Sequence, residues 1–221
     1  MSNIRNIAGS KLYVQYGSGP FSAPKGWKNY DASPTLKIQQ IPLIGKLLAP
    51  VMHVSFHPDV LLGDILKGLP GIQDNSCDGI YCSHVLEHLA YKDCLLAIRN
   101  SFRMLKPGGY FRCVLPDLAV AAKRYITQLA NNDPKANTAF MEETLLGKQE
   151  RIRGFKQLIQ LALGNREHLY MWDHISLTHQ LEAAGFKNIR PCGFNDSPDP
   201  MFKLVEEESR FINAVALEAT K

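Results

Sequence analysis

Residues 74–129 alternate between strand-like and helix-like patterns, and this alternation restricts the possible folds more than any other feature of the chain. The segment 78–83 (DGIYCS) is apolar enough for a buried strand, and 91–105 carries apolar side chains three and four residues apart, the spacing of one helix face. A second strand-like segment at 110–115 and a second helical segment at 118–129 follow. This order predicts a mostly parallel sheet covered by helices.

Turn and capping residues mark the ends of the predicted helices. Pro107-Gly108-Gly109 is expected to end the helix over 91–105, because proline and glycine interrupt helical hydrogen bonding. The carboxylate of Asp117 is expected to N-cap the next helix, and Ser176 to N-cap another helix over 176–184.

Short strands flank this central unit on both sides. Residues 11–16 and 27–30 have the pattern of two strands, but the gap between them is short for a parallel crossover that carries a full helix. Either this connection is nearly helix-free or the first strand is misplaced. Further strands are predicted at 60–62, 187–192 and 211–218.

The whole chain, residues 1–221, is predicted to form a single α/β domain with two additions. Residues 33–58 are expected to form an insertion between the second and third strands, whose prolines imply that the apolar segment 38–48 forms only a short, kinked helix. Residues 131–175 are expected to form a small helical lid.

The composition is that of an ordinary folded protein. The 221 residues fit one elaborated domain, and 45% of them are apolar and 21% charged. Five cysteines without CxxC or metal-binding spacing favour buried free thiols in a reducing compartment. The first ten residues lack the apolar segment of a signal peptide, and no apolar run reaches the length of a membrane span. We therefore expect a cytoplasmic location and no membrane span.

The residues that directly follow the strands are where a ligand is expected, since open α/β sheets bind ligands beyond the carboxyl ends of their strands. Gly17 and Gly19 allow close approach to the backbone, and Asp31 stands where nucleoside-binding sheets place an acceptor for ribose hydroxyls. No third glycine completes a GxGxxG motif, so a nucleoside without phosphates fits better than NAD. Asp64 either accepts from an adenine amino group or is a solvated turn residue.

Three ionisable side chains follow the strand over 78–83. His84 and His88 are four residues apart and would share a face if the segment were helical, but a third metal ligand is not evident and no metal is expected. A second interpretation is that Glu87 and His88 cap the following helix. The third is a cofactor-contacting loop that contains a base.

A second group with ionisable side chains, His168-Leu169-Tyr170-Met171-Trp172-Asp173-His174, precedes the helix over 176–184. One interpretation is a packed aromatic junction beside the cap at Ser176. The other is that this group covers the acceptor and offers His168 or Asp173 as a base.

Several of these segments together resemble class I S-adenosylmethionine-dependent methyltransferases, most closely the methyltransferase type 11-like group of small predicted enzymes. The resemblance rests on the run DNSCDGIYCSHVLEH at 74–88 and on MLKPGG at 104–109, and it extends to YGSG at 16–19 and GWKNYD at 26–31. It covers roughly residues 11–120, together with LEAAGFKNI at 181–189.

The resemblance implies a Rossmann-like sheet, mostly parallel with an antiparallel C-terminal strand, with helices on both faces and a small helical lid. It also implies S-adenosylmethionine as cofactor. The loop at 17–19 would face its methionine part, Asp31 its ribose, Asp64 its adenine, and His84 its sulfonium. The full set of expected cofactor contacts is Tyr16, Gly17, Ser18, Gly19, Asp31, Ala32, Asp64, Ile65, Cys82, Ser83 and His84.

The resemblance implies methyl transfer, in which alignment and a dry site matter most, with a base where the acceptor must lose a proton. His84, His88, His168 and Asp173 are the candidate bases. A small molecule or a glycan intermediate is the expected acceptor. Nucleic acid is not expected, because the loop Leu115-Pro116-Asp117-Leu118 lacks the Asn/Asp-Pro-Pro-aromatic motif of amino-methylating DNA enzymes.

Two other functions stay open at this level. Gln15 stands where the family often has an acidic residue, so the domain could bind the cofactor without turnover. A nucleotide-dependent oxidoreductase on a similar sheet is the other alternative, and the missing GxGxxG motif argues against it.

Overall fold

The computed structural model describes residues 11–42, 45, 54–148 and 167–221. Within these ranges, seven strands form one sheet in the order β3-β2-β1-β4-β5-β7-β6. The strands are β1 (Tyr13–Tyr16), β2 (Trp27–Asp31), β3 (Leu61–Leu62), β4 (Cys77–Ser83), β5 (Leu105–Pro116), β6 (Lys187–Pro191) and β7 (Ala214–Thr220).

The directions of the strands confirm the predicted Rossmann-like class. All pairings among β1 to β5 are parallel, and β7 runs antiparallel to both of its neighbours, β5 and β6. The β5–β7 pairing is regular along its length, from Tyr110 opposite Thr220 to Pro116 opposite Ala214. The last strand is therefore the antiparallel one that the resemblance implies.

The helices bury one face each, as their sequence patterns require. They are α1 (Pro34–Gln39), α2 (Tyr91–Met104), α3 (Leu118–Ala130), α4 (Ala136–Thr144) and α5 (His174–Ala184). In α2 the buried side chains include Cys94, Ala97 and Ile98, so the apolar stripe read from the sequence is the stripe that packs. Asp117 N-caps α3 as predicted, because its carboxylate accepts from the backbone N–H of Ala119.

Side chains that alternate along the strands form an apolar cluster on each face of the sheet. Val14 and Ile80 lie in the larger cluster, together with Ile98 of α2. Tyr13 and Tyr81 point the other way and pack around Phe202, which lies in the 3-10 helix Pro200–Leu204. A short 3-10 helix therefore contributes the centre of the second apolar layer.

Arg112 interrupts the apolar pattern of β5 because it is the centre of a buried ion-pair network. Its guanidinium is fully buried and donates to Glu206 at 2.6 Å and to Glu218 at 2.9 Å. Asp196 accepts from Arg112 at 3.0 Å and also pairs with Arg190. Burial raises the pKa of Asp196, but the guanidinium of Arg190, the Gly193 N–H and Arg112 outweigh it and hold this pKa at about 2.

The connection from β1 to β2 contains no helix across its fully described length. Gly17 and Gly19 both adopt positive φ, at 64° and 65°, which lets the chain turn sharply after Tyr16. The nearly helix-free crossover considered from the sequence is confirmed, and the first strand lies where it was placed.

Two predicted helix boundaries were wrong. The last helix begins at His174, and its N-cap is Asp173, whose carboxylate accepts from the backbone N–H of Ser176 at 2.8 Å. Ser176 instead occupies the third helical position and completes a capping box. Pro107-Gly108-Gly109 does not end α2, because the chain already turns extended at Leu105, whose buried side chain lies opposite Cys77 in the sheet.

The last strand is also displaced from its predicted position. It spans Ala214–Thr220 and not 211–218, because Glu208–Phe211 forms a 3-10 turn before it. The apolar residues at 211 and 212 belong to this turn and to the connection that follows it.

The two predicted additions lie partly outside the described residues. Within 33–58 the structure contains α1, while residues 43, 44 and 46–48 of the expected helix over 38–48 are not among the described residues. Within 131–175 it contains α4, which packs against α3 through Tyr125 and Phe140. The insertion and the lid remain predictions.

All five cysteines are free thiols; four of them are buried as expected, whereas Cys192 is half-buried. No helix in the described ranges is both long enough and apolar enough to cross a membrane.

Candidate functional site

The strand order changes direction between β1 and β4. From β1 the chain proceeds outward through β2 and β3, and it then returns to place β4 and β5 on the other side of β1. A crevice opens beyond the carboxyl ends of the strands at such a switch point, because the following connections diverge to opposite sides. The loops after β1 and β4 are therefore the ones that border the candidate site.

These two loops touch each other through Gly17 and Val85. A Cβ atom at Gly17 would overlap Cγ2 of Val85, so only glycine allows the loops to come this close. Gly19 differs, because its missing Cβ faces open space with only Phe21 nearby. The predicted glycine loop thus contains one glycine needed for packing and one that leaves room.

Asp31 joins the loop after β1 to the end of β2. Its carboxylate accepts from the N–H of Gly19 at 3.0 Å and from the N–H of Ser33 at 2.7 Å. Burial raises the pKa of Asp31, and the two backbone N–H groups only partly offset that rise. Ala32, the next predicted contact, is exposed at the same edge.

The loop after β3 is held close to β2, since the N–H of Gly63 donates to the carbonyl of Asp31. The Asp64 carboxylate accepts from the N–H of Leu66 at 2.9 Å and pairs with Lys67 at 3.4 Å. Both contacts are local and fit the turn role, one of the two roles considered for Asp64 from the sequence. Ile65 is buried in the larger apolar cluster.

Other predicted cofactor contacts differ in which way their side chains point. Tyr16 and Cys82 are both buried in the larger apolar cluster, and the Tyr16 hydroxyl accepts from Ser101 at 3.2 Å. Ser18 is buried and donates its backbone N–H to the carbonyl of Tyr30, while Ser83 ends β4. A ligand at this edge would meet Tyr16 and Cys82 only through their backbone atoms.

His84 follows β4 in a left-handed backbone conformation, with φ 55°. Its backbone N–H donates to the carbonyl of Val114 at 2.7 Å, which anchors the loop to β5. The ring Nε2 donates to the carbonyl of Arg210 at 3.1 Å, and Nδ1 lies 3.5 Å from Oε1 of Glu87. Burial lowers the pKa of His84 and so favours its neutral form.

Glu87 does not cap the following helix. The N-cap of α2 is Ala90, and Glu87 lies in a 3-10 turn with its side chain fully buried. Neither carboxylate oxygen accepts a hydrogen bond from a described residue, and burial raises the pKa of Glu87 to about 8. The capping interpretation was wrong for this residue, and sequence reasoning gave no other indication of its position.

The two ionisable groups of the sequence meet in space. The carbonyl of Glu87 accepts from the N–H of Leu169 at 2.7 Å, and the rings of His88 and His168 lie 5.0 Å apart. His88 Nδ1 donates to the carbonyl of Glu167 at 2.9 Å. Burial and the neighbouring His88 lower the pKa of His168.

The remaining part of the second group forms an aromatic junction. Trp172 packs against Tyr91 and Tyr170 with ring centroids 5.8 and 4.8 Å apart. Asp173, one of the candidate bases, uses its carboxylate as the N-cap of α5. His84, His88 and His168 are therefore together with Glu87, and Asp173 serves the helix.

The sequence model of a family described as a methyltransferase domain matches residues 20–190. An uncharacterized protein of Saccharomyces cerevisiae is 30% identical over 112 residues, which are 50% of this chain and 12% of that protein. The chain therefore spans only a small part of the length of this curated relative.

Among solved structures, a SAM-dependent methyltransferase from Archaeoglobus fulgidus is 14% identical with a TM-score of 0.49, and the match covers 96% of this chain and 87% of that one. The phosphoethanolamine N-methyltransferase 2 of Haemonchus contortus, solved in complex with S-adenosyl-L-methionine, is 10% identical with a TM-score of 0.49, covering 96% of this chain and 49% of that one.

Proposed function

From the premise that the chain belongs to the methyltransferase domain family, which confirms the resemblance to class I S-adenosylmethionine-dependent enzymes, we propose that it transfers a methyl group from S-adenosylmethionine to a small molecule or a glycan intermediate. The acceptor would lie at the carboxyl edge of the sheet, beside the loop after β4.

The observation that carries this proposal is the meeting of three loops at the switch point. Gly17 of the β1 loop packs on Val85 of the β4 loop, and Gly19 donates to Asp31 at the end of β2. Such a crevice, with glycines on one side and a half-buried carboxylate on the other, suits a nucleoside.

The residues at this edge fit an adenosyl group better than a dinucleotide. The chain from β1 to β2 is fully described and starts no helix that could bind a pyrophosphate at its N-terminus. This favours S-adenosylmethionine over NAD and weighs against the oxidoreductase alternative.

Bound S-adenosylmethionine would supply the activated methyl group on its sulfonium. The protein's own task is then to orient that group and to exclude water. The Asp31 oxygens, each of which can accept two hydrogen bonds, keep acceptor capacity for ribose hydroxyls after binding the N–H groups of Gly19 and Ser33. His84, His88 and His168 remain the candidates for removing a proton from the acceptor.

Calorimetry with S-adenosylmethionine, its demethylated product and NAD tests the cofactor site. Asp31→Ala is expected to weaken binding of the methyl donor by about 1–3 kcal/mol, or roughly 5- to 150-fold, because buried partners lose their acceptor. Asp74→Ala is the matched control, since Asp74 precedes β4 at the opposite edge of the sheet and is half exposed. Equal affinities of both variants and wild type, or tighter binding of NAD, would refute this placement.

Transfer of radiolabelled methyl groups to panels of small molecules, glycan precursors and nucleic acids tests the acceptor. Labelling confined to the small molecules or glycans supports the proposal, and labelling of nucleic acid contradicts it. Donor binding without labelling of any panel would favour a binding domain without turnover.

A further inference from the structure

Two backbone carbonyls determine which nitrogens of His84 and His88 carry hydrogen. The carbonyl of Arg210 lies 3.1 Å from Nε2 of His84, and the carbonyl of Glu167 lies 2.9 Å from Nδ1 of His88. Because a carbonyl oxygen can only accept, each of these nitrogens must donate. In the neutral imidazole, the other ring nitrogen then carries a lone pair and can only accept a hydrogen bond or bind a metal ion.

Both of those other nitrogens face the same carboxylate oxygen. Nδ1 of His84 lies 3.5 Å from Oε1 of Glu87, and Nε2 of His88 lies 4.0 Å from it. The Glu87 side chain has 0% exposure, and neither of its oxygens has a hydrogen-bond partner in the part of the chain that the structure describes. Glu87 is thus buried beside ring nitrogens that can accept, and this arrangement is unfavourable unless a proton or a metal ion lies among them.

His168 adds a further ring nitrogen to the cluster around the Glu87 carboxylate. Its Nδ1 atom is buried and makes no hydrogen bond of acceptable geometry with a described residue. One ligand atom each of Glu87, His88 and His168 lie within 4.8 Å of one another. A tetrahedral zinc ion with bonds of about 2.0–2.1 Å places its ligands about 3.4 Å apart. Side-chain rotations that shorten these separations by up to about 1.4 Å would therefore complete a site.

We propose that Glu87, His88 and His168 bind a divalent transition metal ion of the zinc type. Two imidazoles and one carboxylate are a donor set that such ions prefer, and a histidine that donates its other ring N–H to a backbone carbonyl is the usual outer support of a metal ligand. The hydrogen bond from His88 to the carbonyl of Glu167 has this form.

The ion would keep an open position toward solvent. The side chains of His84 and His88 are 24% and 25% exposed, so water reaches the cluster from the side of the imidazoles. Three protein ligands with a fourth position open are typical of catalytic zinc sites. Because His84 directly follows β4, an acceptor oxygen in that position would lie beside the methyl-transfer crevice. This last step rests on the proposed function, whereas the metal site itself does not.

Metal binding is measured on the full chain without an affinity tag, after chelator treatment. Calorimetry with Zn²⁺ is expected to give one equivalent bound, and Co²⁺ is expected to produce visible absorption bands. Glu87→Gln and His168→Ala should each weaken Zn²⁺ binding at least tenfold, on the order of the loss known even for outer-shell changes. His179→Ala is the matched control, since His179 is exposed on α5.

Circular dichroism and thermal unfolding of the metal-free variants separate lost binding from lost folding. Glu87→Gln should fold as well as wild type, because the amide replaces a buried unpaired carboxylate with little change of shape. Zn²⁺ should raise the Tm of wild type and His179→Ala more than that of Glu87→Gln.

The proposal is overturned if metal-free wild type binds neither Zn²⁺ nor Co²⁺. It is also overturned if folded Glu87→Gln and His168→Ala bind Zn²⁺ as tightly as His179→Ala. Binding of S-adenosylmethionine, measured on the same samples, distinguishes this failure from failure of the proposed function. Loss of Zn²⁺ binding with retained donor binding supports a separate metal site.

Discussion

Gly17→Ala tests the contact between the β1 and β4 loops on which the cofactor site depends. Two separate costs are expected. The residue has φ 64°, a left-handed conformation that costs a non-glycine residue about 1–2 kcal/mol. The new methyl group would also overlap Cγ2 of Val85, and overpacking of this kind costs typically about 1–3 kcal/mol.

The two costs together predict a loss of about 2–5 kcal/mol in the free energy of unfolding. For a domain of this size the loss corresponds to a fall in Tm of roughly 4–20 °C. Gly71→Ala is a matched control, because Gly71 has φ 73° and its added Cβ would meet nothing within 4 Å. That variant should lose only the backbone part, about 1–2 kcal/mol.

Urea unfolding of a double-mutant cycle measures the steric part alone. Val85→Ala removes the overlapping methyl groups, so it should recover about 1–3 kcal/mol in the presence of Gly17→Ala, while the backbone cost stays. Calorimetry with S-adenosylmethionine on the same variants should show weaker binding for Gly17→Ala than for Gly71→Ala. The reasoning fails if both glycine variants lose the same stability, or if Val85→Ala and Gly17→Ala are strictly additive.

Three further predictions concern pH and stability. Because burial raises the pKa of Asp31, affinity for S-adenosylmethionine should fall as the pH drops through a midpoint above that of an ordinary aspartate; calorimetry from pH 7 to pH 4 that shows constant affinity would contradict this. Arg112→Met should lower the free energy of unfolding by about 3–5 kcal/mol in urea, because Glu206 and Glu218 lose their buried cation, and a loss below about 1 kcal/mol would contradict it. Asp173→Ala should lower stability by about 0.5–2 kcal/mol, whereas Asp173→Asn keeps the N-cap and should stay close to wild type; equal losses in thermal unfolding would rule out the capping role.

Much of the fold could be predicted from short-range patterns. The stripe of α2, the strand over residues 78–83 and the cap at Asp117 depend on neighbours within about four positions, and all three are present in the structure. The positive φ angles of Gly17 and Gly19 agree with the glycine loop predicted from the sequence. Such features are readable because helix and strand periodicity act locally.

One of the two boundary errors lies where a distant contact decides a local choice, and the other is local. Leu105 leaves the helix because Cys77 pairs with it in the sheet, so the chain becomes extended before Pro107 is reached. Asp173 caps α5 although Ser176 has equal capping propensity, because the capping box uses both residues in fixed order.

The candidate site shows the same division most clearly. The sequence by itself determined that glycines, a carboxylate and histidines follow the strands of an α/β sheet. Only the tertiary structure decided that the chain near His168 packs on the turn of Glu87 and His88, about 80 positions earlier, and that Glu87 points inward between imidazoles. Which side chains are buried, and which polar groups face one another, depends on which segments pack together. That packing is set by the whole sheet and its connections rather than by the spacing of residues along the chain.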